Sequence, residues 1–574
     1  MKKPLLSEMT LREKIGQMLA PHHWDVYGKV EMSYDYSVSD MEEVKALYAK
    51  EQFGTIRGEQ VGVFYADPEN EKKIDVVEGY VEGSLLMNNT IKVDTKPYRR
   101  FLEKHNTYMK IPALVGGDCS VGAANVFNEL SWVVNAAAIG AADSEELTYE
   151  FASAIGREMR CGGHNWRWAP VVDLGNRNSY ATLRTLAMDD PERTVRLAKA
   201  YIKGLQDVGV AATVKHFPSE GRTEARDAHF TSTMNPDSLE TWWNEQGRVY
   251  QELFDYGVYS VMVGHQSFPA VDDEMINGKY RPSTISKKVV TDLLKGEMGF
   301  KGVVITDGIG MAGLFSLLPY EELIVELVNA GNDVILGSKI NSGDLIEKAV
   351  KDGRIEESRI DDACQRVLDM KEKLGMFEDG YYNLPYEAED IVENTRKVSA
   401  EIAKKSITLV RDKYNLLPLD KKDIKKVSIV ISTHTESFLD NVEELQKAFE
   451  ERGIEVYTQR RLKSAAELKG ISDNCDLIIY AACLQMHQPA GYPRFFAEEA
   501  MSFYHAFTHG KEKSIGVSFG YPYIHYDTME NVNTFINAYN PRPETMQAFV
   551  GAILGEFEIK GNTPVLLEPR ANSK

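Results

Sequence analysis

The sequence predicts an α/β protein built as two successive units, and three observations carry that prediction. Up to Phe377, buried-type strands alternate with amphipathic helices, the mark of an α/β barrel or a doubly wound sheet. Residues 378–394 are polar and aromatic without an apolar period, and read as a linker. From Thr395 a shorter strand–helix alternation begins, which reads as a doubly wound α/β sandwich. The expected domains are therefore 1–377 and 395–574.

In chain order, Thr10 can cap a helix starting at Leu11, with Glu13 closing a capping box. Residues 53–57 form a candidate short strand and 99–108 a helix. Residues 111–117 read as a strand ending in Asp118. A helix is expected over 142–161, stopped by Gly162-Gly163, then a strand over 168–174 and a helix over 191–209. The apolar run 208–214 is the next buried strand. Helices over 239–257, 289–297 and 321–331 alternate with strands over 260–265, 302–306 and 332–336, and a last helical region covers 355–377. In the second unit, a helix over 395–407 leads to strands over 426–432, 476–481 and 513–519, interleaved with helices over 441–452 and 497–506. No Gly-x-Gly-x-x-Gly follows the first of these strands, which argues against a nucleotide site.

Composition excludes several classes. The 574 residues carry a formal net charge of −20, which argues against a nucleic-acid partner because its phosphates would be repelled. The five cysteines are scattered with no Cys-x-x-Cys pair, against a zinc site or redox dithiol. Reduced thiols make a cytoplasmic location the expectation. The two lysines near the N-terminus are not followed by an apolar stretch, and no run of about 18 apolar residues offers a membrane span. Oligomeric state is left open.

The chemistry gathers on the stretch from Thr213 to Asn235. A buried strand stops at Lys215-His216, Pro218 and Gly221 disfavour its continuation, and a polar loop follows with Glu220, Arg222, Glu224, Arg226, Asp227 and His229. Asp-x-His spacing lets the carboxylate orient the imidazole, a proton-transfer pair. By spacing alone such a pair is more often merely solvated. Lys215-His216-Phe217-Pro218, Gly221 and Asp227-Ala228-His229 together resemble the signature loop of the bacterial β-N-acetylglucosaminidases of glycoside hydrolase family 3, Lys-His-Phe-Pro-Gly-His-Gly followed by Asp-Ser-His. Ser219-Glu220 stands where the family has Gly-His, and Ala228 where it has Ser. The opening Leu11-to-Met18 segment and the Ala169-Pro170-Val171-Val172-Asp173 strand are similar to the family too, as is the C-terminal unit, so the resemblance spans almost the whole chain. It implies a TIM-type (β/α)8 barrel followed by the smaller sandwich.

The resemblance implies a site as well. His229 would be the general acid/base and Asp227 its partner. Asp118, Arg184, Lys215 and His216 would bind the sugar's hydroxyls, and His265 would line the pocket wall. Asp173 is read instead as a group that holds the barrel mouth together. Asp307 closes the apolar strand 302–306, where a carboxylate reads as catalytic. It matches the family's nucleophile segment, with Gly308 replacing the residue that follows.

Cleaving a glycoside with retention needs a nucleophile and an acid/base, here Asp307 and His229 in place of the usual two carboxylates. The implied activity is a retaining β-N-acetylglucosaminidase acting on a small carbohydrate, with no cofactor and no metal. An imidazole does not repel an anionic acceptor, so phosphorolysis is an alternative to hydrolysis. A family 3 β-glucosidase and a catalytically silent sugar-binding relative are the other readings; the Asp-x-His loop argues against the first, and Asp307, Asp227 and His229 together against the second.

Overall fold

The computed structural model describes residues 2–21, 42–58, 94–119, 121–177, 179, 183–188, 190–221, 224–433, 436–484, 494–495, 497–506 and 508–567. Arg222 of the polar loop lies outside the described residues.

Among the described residues of the first unit, beside a small hairpin (Met275–Ile276 with Lys279–Tyr280), eight strands form a ring: β1 (Leu19–Ala20), β2 (Thr55–Arg57), β3 (Leu114–Gly117), β4 (Trp166–Arg167), β5 (Ala211–Phe217), β6 (Ser260–Val263), β7 (Val303–Thr306) and β8 (Ile335–Leu336). Parallel ladders join β2 through β7 in chain order, and β1 pairs with β8. Two seams close the ring. The parallel bridge Ile305↔Val334 ties β7 to the approach of β8, and Arg57 N–H donates to Pro21 O at 3.4 Å between β2 and the end of β1. This is a TIM-type barrel, one of the two architectures the alternation allowed.

Side-chain alternation decides what faces the barrel axis. Leu114, Trp166, Trp168, Ala211, Met262, Val303, Ile305 and Leu336 form the interior cluster. Trp166 Nε1–H is held there by Thr213 Oγ1 and Ser260 Oγ, both at 2.8 Å. Their neighbours Val115, Ala212, Val214, Val261, Val263 and Val304 pack outward in the main core cluster. The period of two, continued past each strand, carries Asp118, Lys215 and Asp307 to the inner face at the C-terminal mouth. β5 adds one device: its ladder with β6 slips between Lys215 and Phe217, so His216 is an extra residue in the strand.

Helix starts follow their caps. Thr10 accepts from Glu13 N and completes the expected capping box of Leu11–Gly16. The helix expected over 142–161 starts at Glu145 and runs to Cys161, and a separate helix, Ala136–Ala142, precedes it, because Asp143 turns left-handed (φ 45°) and Ser144 caps anew. The strand expected over 168–174 makes its ladder earlier, at Trp166–Arg167. Pro170 lacks an N–H to donate, and beyond it only Val171 forms isolated bridges.

The second unit is a six-stranded sheet: β9 (Thr408–Asp412), β10 (Lys426–Thr433), β11 (Glu455–Arg460), β12 (Leu477–Cys483), β13 (Ser514–Ser518) and β14 (Thr534–Asn537). The order is β9-β14-β13-β12-β10-β11, with β9 antiparallel at one edge and the rest parallel. Val427, Ile429 and Ile431 face helices Glu436–Glu450 and Pro543–Ile553, whereas Val430 and Tyr480 face the layer holding Leu468 and Phe503. Sequence periodicity did not mark β9, β11 or β14.

The helix expected from Thr395 begins at Ala388, inside the stretch read as linker. Ala388, Val398, Ile402 and Ala403 belong to the barrel's outer core, so this helix joins the units rather than opening the second. Asn135 Nδ2 donates to Tyr539 O (2.8 Å), and Met188 N–H to Pro564 O (3.0 Å). The Tyr521 hydroxyl donates to Arg177 O, and the Arg177 guanidinium lies 4.9 Å from the Tyr526 ring centroid. The sandwich therefore braces the segment after β4 that carries Arg184. No helix among the described residues is long and apolar enough to cross a membrane.

Candidate active site at the barrel mouth

Asp307 follows β7, its N–H donating to Val263 O of β6 at 2.9 Å. Its Oδ1 accepts the Gly308 N–H at 2.7 Å, which fixes the carboxylate's direction. Burial alone would raise this carboxyl; the fields of His216, His265, His229 and Lys215 outweigh it and hold Asp307 far below the usual carboxylate range. It is an anion at any pH the enzyme would meet. Four basic side chains, two on β5, one just past β6 and one on the loop that follows β5, thus converge on one carboxylate.

The Asp227–His229 loop is built as a unit. Asp227 Oδ1 accepts both the His229 backbone N–H (2.9 Å) and its Nδ1–H (2.6 Å). The aspartate side chain is 1% exposed and the histidine 29%, so the pair has a buried anchor and an accessible tip. With Nδ1 committed, Nε2 is the nitrogen left for proton transfer. This loop docks on the segment after Asp307: Ala312 N–H donates to His229 O at 2.9 Å, and Gly313 N–H to Ala228 O at 3.3 Å. Gly313 is glycine for want of room, since a Cβ would stand 2.4 Å from Thr231 O. The docking brings candidate acid/base and candidate nucleophile, distant in sequence, to one edge of the mouth.

Asp118 pairs with Lys215 Nζ in a close ion pair. Burial would raise the Asp118 carboxyl, but Lys215, Arg57 and Arg184 pull it below the usual range. The structure therefore gathers Asp118, Lys215 and Arg184 as expected and adds Arg57. That arginine ends β2, and the signal that marked Asp118 and Asp307, a charge closing a buried strand, marks it equally.

His216 lies deeper. Its Nδ1 is 2.8 Å from Asp173 Oδ2 and 3.4 Å from Glu220 Oε1. Asp173 also accepts the backbone N–H of His216 (3.1 Å) and of Glu220 (3.2 Å). It is the brace of the mouth that the sequence suggested. Burial disfavours a charged His216, but Glu220 and Asp173 raise its proton affinity overall, with Lys215 opposing. Donor atoms of Asp173, His216 and Glu220 lie within 4.8 Å of one another, a grouping that linear spacing did not reveal. Within it His216 Nδ1 lies at hydrogen-bond distance from Asp173 Oδ2, with Glu220 Oε1 beyond at 3.4 Å.

His265 is engaged at both nitrogens. Nε2–H donates to Gly308 O at 2.9 Å, so Nδ1 accepts from the Thr284 hydroxyl at 3.0 Å. Burial lowers its proton affinity and keeps it neutral. Neither nitrogen is left for a sugar hydroxyl. Its place is under the backbone after Asp307, which it steadies.

Comparison with known proteins identifies the family. Residues 10–370 match the glycosyl hydrolase family 3 N terminal domain. A β-N-acetylglucosaminidase/β-glucosidase of Cellulomonas fimi is 30% identical over 480 residues, 79% of this chain and 84% of that protein. A solved β-glucoside phosphorylase superposes with a TM-score of 0.79 at 25% identity, over 98% of this chain and 94% of that one. A family 3 β-N-acetylglucosaminidase from Paenibacillus sp. str. FPU-7 gives 0.77 at 25% identity, over 97% and 99%. The chain, with its basic cluster around a strand-end aspartate and its docked Asp-x-His loop, belongs to glycosyl hydrolase family 3.

Proposed function

We propose that this chain is a retaining β-N-acetylglucosaminidase, with Asp307 as nucleophile and the His229–Asp227 pair as acid/base. The observation that carries the reading is the backbone docking of His229 on the segment that follows Asp307. In the first step Asp307 attacks the anomeric carbon, and His229 Nε2–H protonates the departing glycosidic oxygen. A covalent glycosyl-aspartate results. In the second step Nε2 takes a proton from water as the water oxygen attacks the anomeric carbon and frees Asp307. Asp227 holds the tautomer that directs Nε2 outward and stabilises the imidazolium that donates in the first step and re-forms in the second. Asp118, Arg184 and Lys215 hold the sugar's hydroxyls. The substrate is a small carbohydrate, and the buried, free cysteines support a cytoplasmic setting.

Phosphorolysis is the second reading. It is supported by the near full-length likeness to a β-glucoside phosphorylase and by an acid/base that does not repel a phosphate dianion. Aryl N-acetyl-β-glucosaminides and β-glucosides, assayed with and without phosphate, separate the outcomes. Free sugar released at the same rate in both buffers supports hydrolysis. A phosphate-dependent rate with sugar 1-phosphate as product supports phosphorolysis. No turnover on any glycoside, by protein that still melts cooperatively, refutes both.

A further inference from the structure

We infer that Glu220 is a positioning residue: with Asp173 it holds the His216 imidazole as a doubly protonated cation beside Asp307, so that His216 keeps a fixed Nε2–H donor at the sugar-binding mouth. The catalytic consequence rests on the glycosidase reading above; the proton assignment does not.

The geometry is that of one ring nitrogen facing two carboxylates. His216 Nδ1 lies 2.8 Å from Asp173 Oδ2 and 3.4 Å from Glu220 Oε1, and all three side chains are largely buried. Asp173 alone is divided among three N–H groups: the His216 amide, the Glu220 amide and Nδ1. Nε2 has no hydrogen-bond partner among the described residues. Burial and the adjacent Lys215 both favour the neutral ring, so a single shared carboxylate has two opponents. Glu220 supplies the second negative charge that tips the balance.

The other groups around the ring do not take over that role. Asp307, just beyond β7 across the mouth, is an anion whose field also favours the charged His216, behind Glu220 and Asp173, so it assists that pair rather than replacing it. His265, from the end of β6, is held neutral. Tyr250 lies behind the cluster, and burial together with Asp173 and Glu220 raises its phenol well above the usual range, so it neither donates charge nor absorbs it.

The test uses the full-length protein labelled with 13Cε1-histidine, titrated by NMR from pH 5.5 to 9, with His216→Gln to assign the resonance. Wild-type His216 is expected to stay in the imidazolium position through pH 7. In Glu220→Gln its transition moves down by about tenfold in proton affinity, and Glu220→Asp recovers part of that shift. The basic limb of kcat/KM on the preferred glycoside is expected to move down in Glu220→Gln as His216 becomes the first group to lose its proton. A wild-type His216 that is neutral at pH 7, or a transition unchanged in Glu220→Gln, overturns the inference. Loss of the Nδ1 proton on adding Zn2+, with chelator-sensitive activity, also overturns it, since the cluster would then be a metal site. Should Glu220→Gln fail to fold, Glu220→Asp carries the test: its transition must fall between those of wild type and the neutral ring. A shifted resonance with no shifted basic limb supports the proton assignment and sinks only its catalytic consequence.

Discussion

Asp227 and His229 offer the sharpest test of the proposed chemistry, because their removal should damage substrates unequally. Asp227 Oδ1 holds the imidazole through a 2.6 Å bond to Nδ1 and the backbone through a 2.9 Å bond to the His229 amide. A hydrogen bond to a charged group contributes about 1.5–3 kcal/mol. At about 1.36 kcal/mol per decade of rate, loss of the orienting bond in Asp227→Asn costs about 10- to 100-fold in kcat/KM. Asparagine keeps the size and can still accept the backbone N–H, so the loop stays docked. His229→Ala removes the proton donor itself, and general acid catalysis contributes about 100- to 10,000-fold. That full loss is expected for a sugar leaving group. An aryl glycoside with an acidic phenol needs little protonation and should lose far less in the glycosylation step. The assay is kcat/KM over a series of phenols and one disaccharide: wild type should depend weakly on leaving-group acidity, and His229→Ala steeply. Azide should rescue turnover of activated substrates in His229→Ala, since it attacks the glycosyl-enzyme without a general base. Equal losses across the series with no azide rescue would refute the assignment and turn attention to Glu220 and Glu224.

Asp307→Ala should abolish turnover by several orders of magnitude while leaving the fold intact, and a 2-fluoro glycoside should label Asp307 in the wild type; a label found elsewhere by peptide mapping removes it as nucleophile. Gly313→Ala would force a Cβ to 2.4 Å from Thr231 O and 2.8 Å from Ala228 O, so it should cost about 1–3 kcal/mol and lower kcat/KM by pushing His229 away from Asp307. Gly308→Ala meets no heavy atom within 4 Å and is expected to change thermal stability by no more than about 0.5 kcal/mol. Lys371 is fully buried against Gln17 Oε1 (2.6 Å), and burial pushes it down to about 7. In the unfolded chain it titrates near about 10.4, so the unfolded state binds more protons between those values and this group makes stability rise with pH across that window, by about 1.36 kcal/mol per pH unit. Lys371→Met should accordingly gain most over wild type at or below about pH 7 and lose that advantage toward pH 10. A melting-temperature difference that does not vary with pH contradicts the buried-lysine account.

Much of this protein is legible in its linear order because local physics writes it there. Apolar runs closed by Asp118, Lys215 and Asp307 mark buried strands that end in charge, and a side-chain period of two sends those charges inward whatever the neighbouring strands do. Thr10 and Glu13 announce a helix start through bonds spanning three residues. The Asp227–His229 bond likewise closes within one short loop. What spans long separations is decided only by the tertiary structure. The alternation permitted a barrel or an open sheet, and the seams between β7 and β8 and between β1 and β2 chose the barrel. Edge strand β11 was hidden because half-exposed Glu455–Arg460 buries no continuous apolar face. The chain order could name His265 but not disclose that Thr284 and Gly308 occupy both of its nitrogens. Nor could it bring Asp173 and Glu220 onto one nitrogen of His216, or set His229 against the loop after Asp307. A residue's own chemistry is in its name and its near neighbours, but its proton state and direction depend on the charges and donors that folding brings to it.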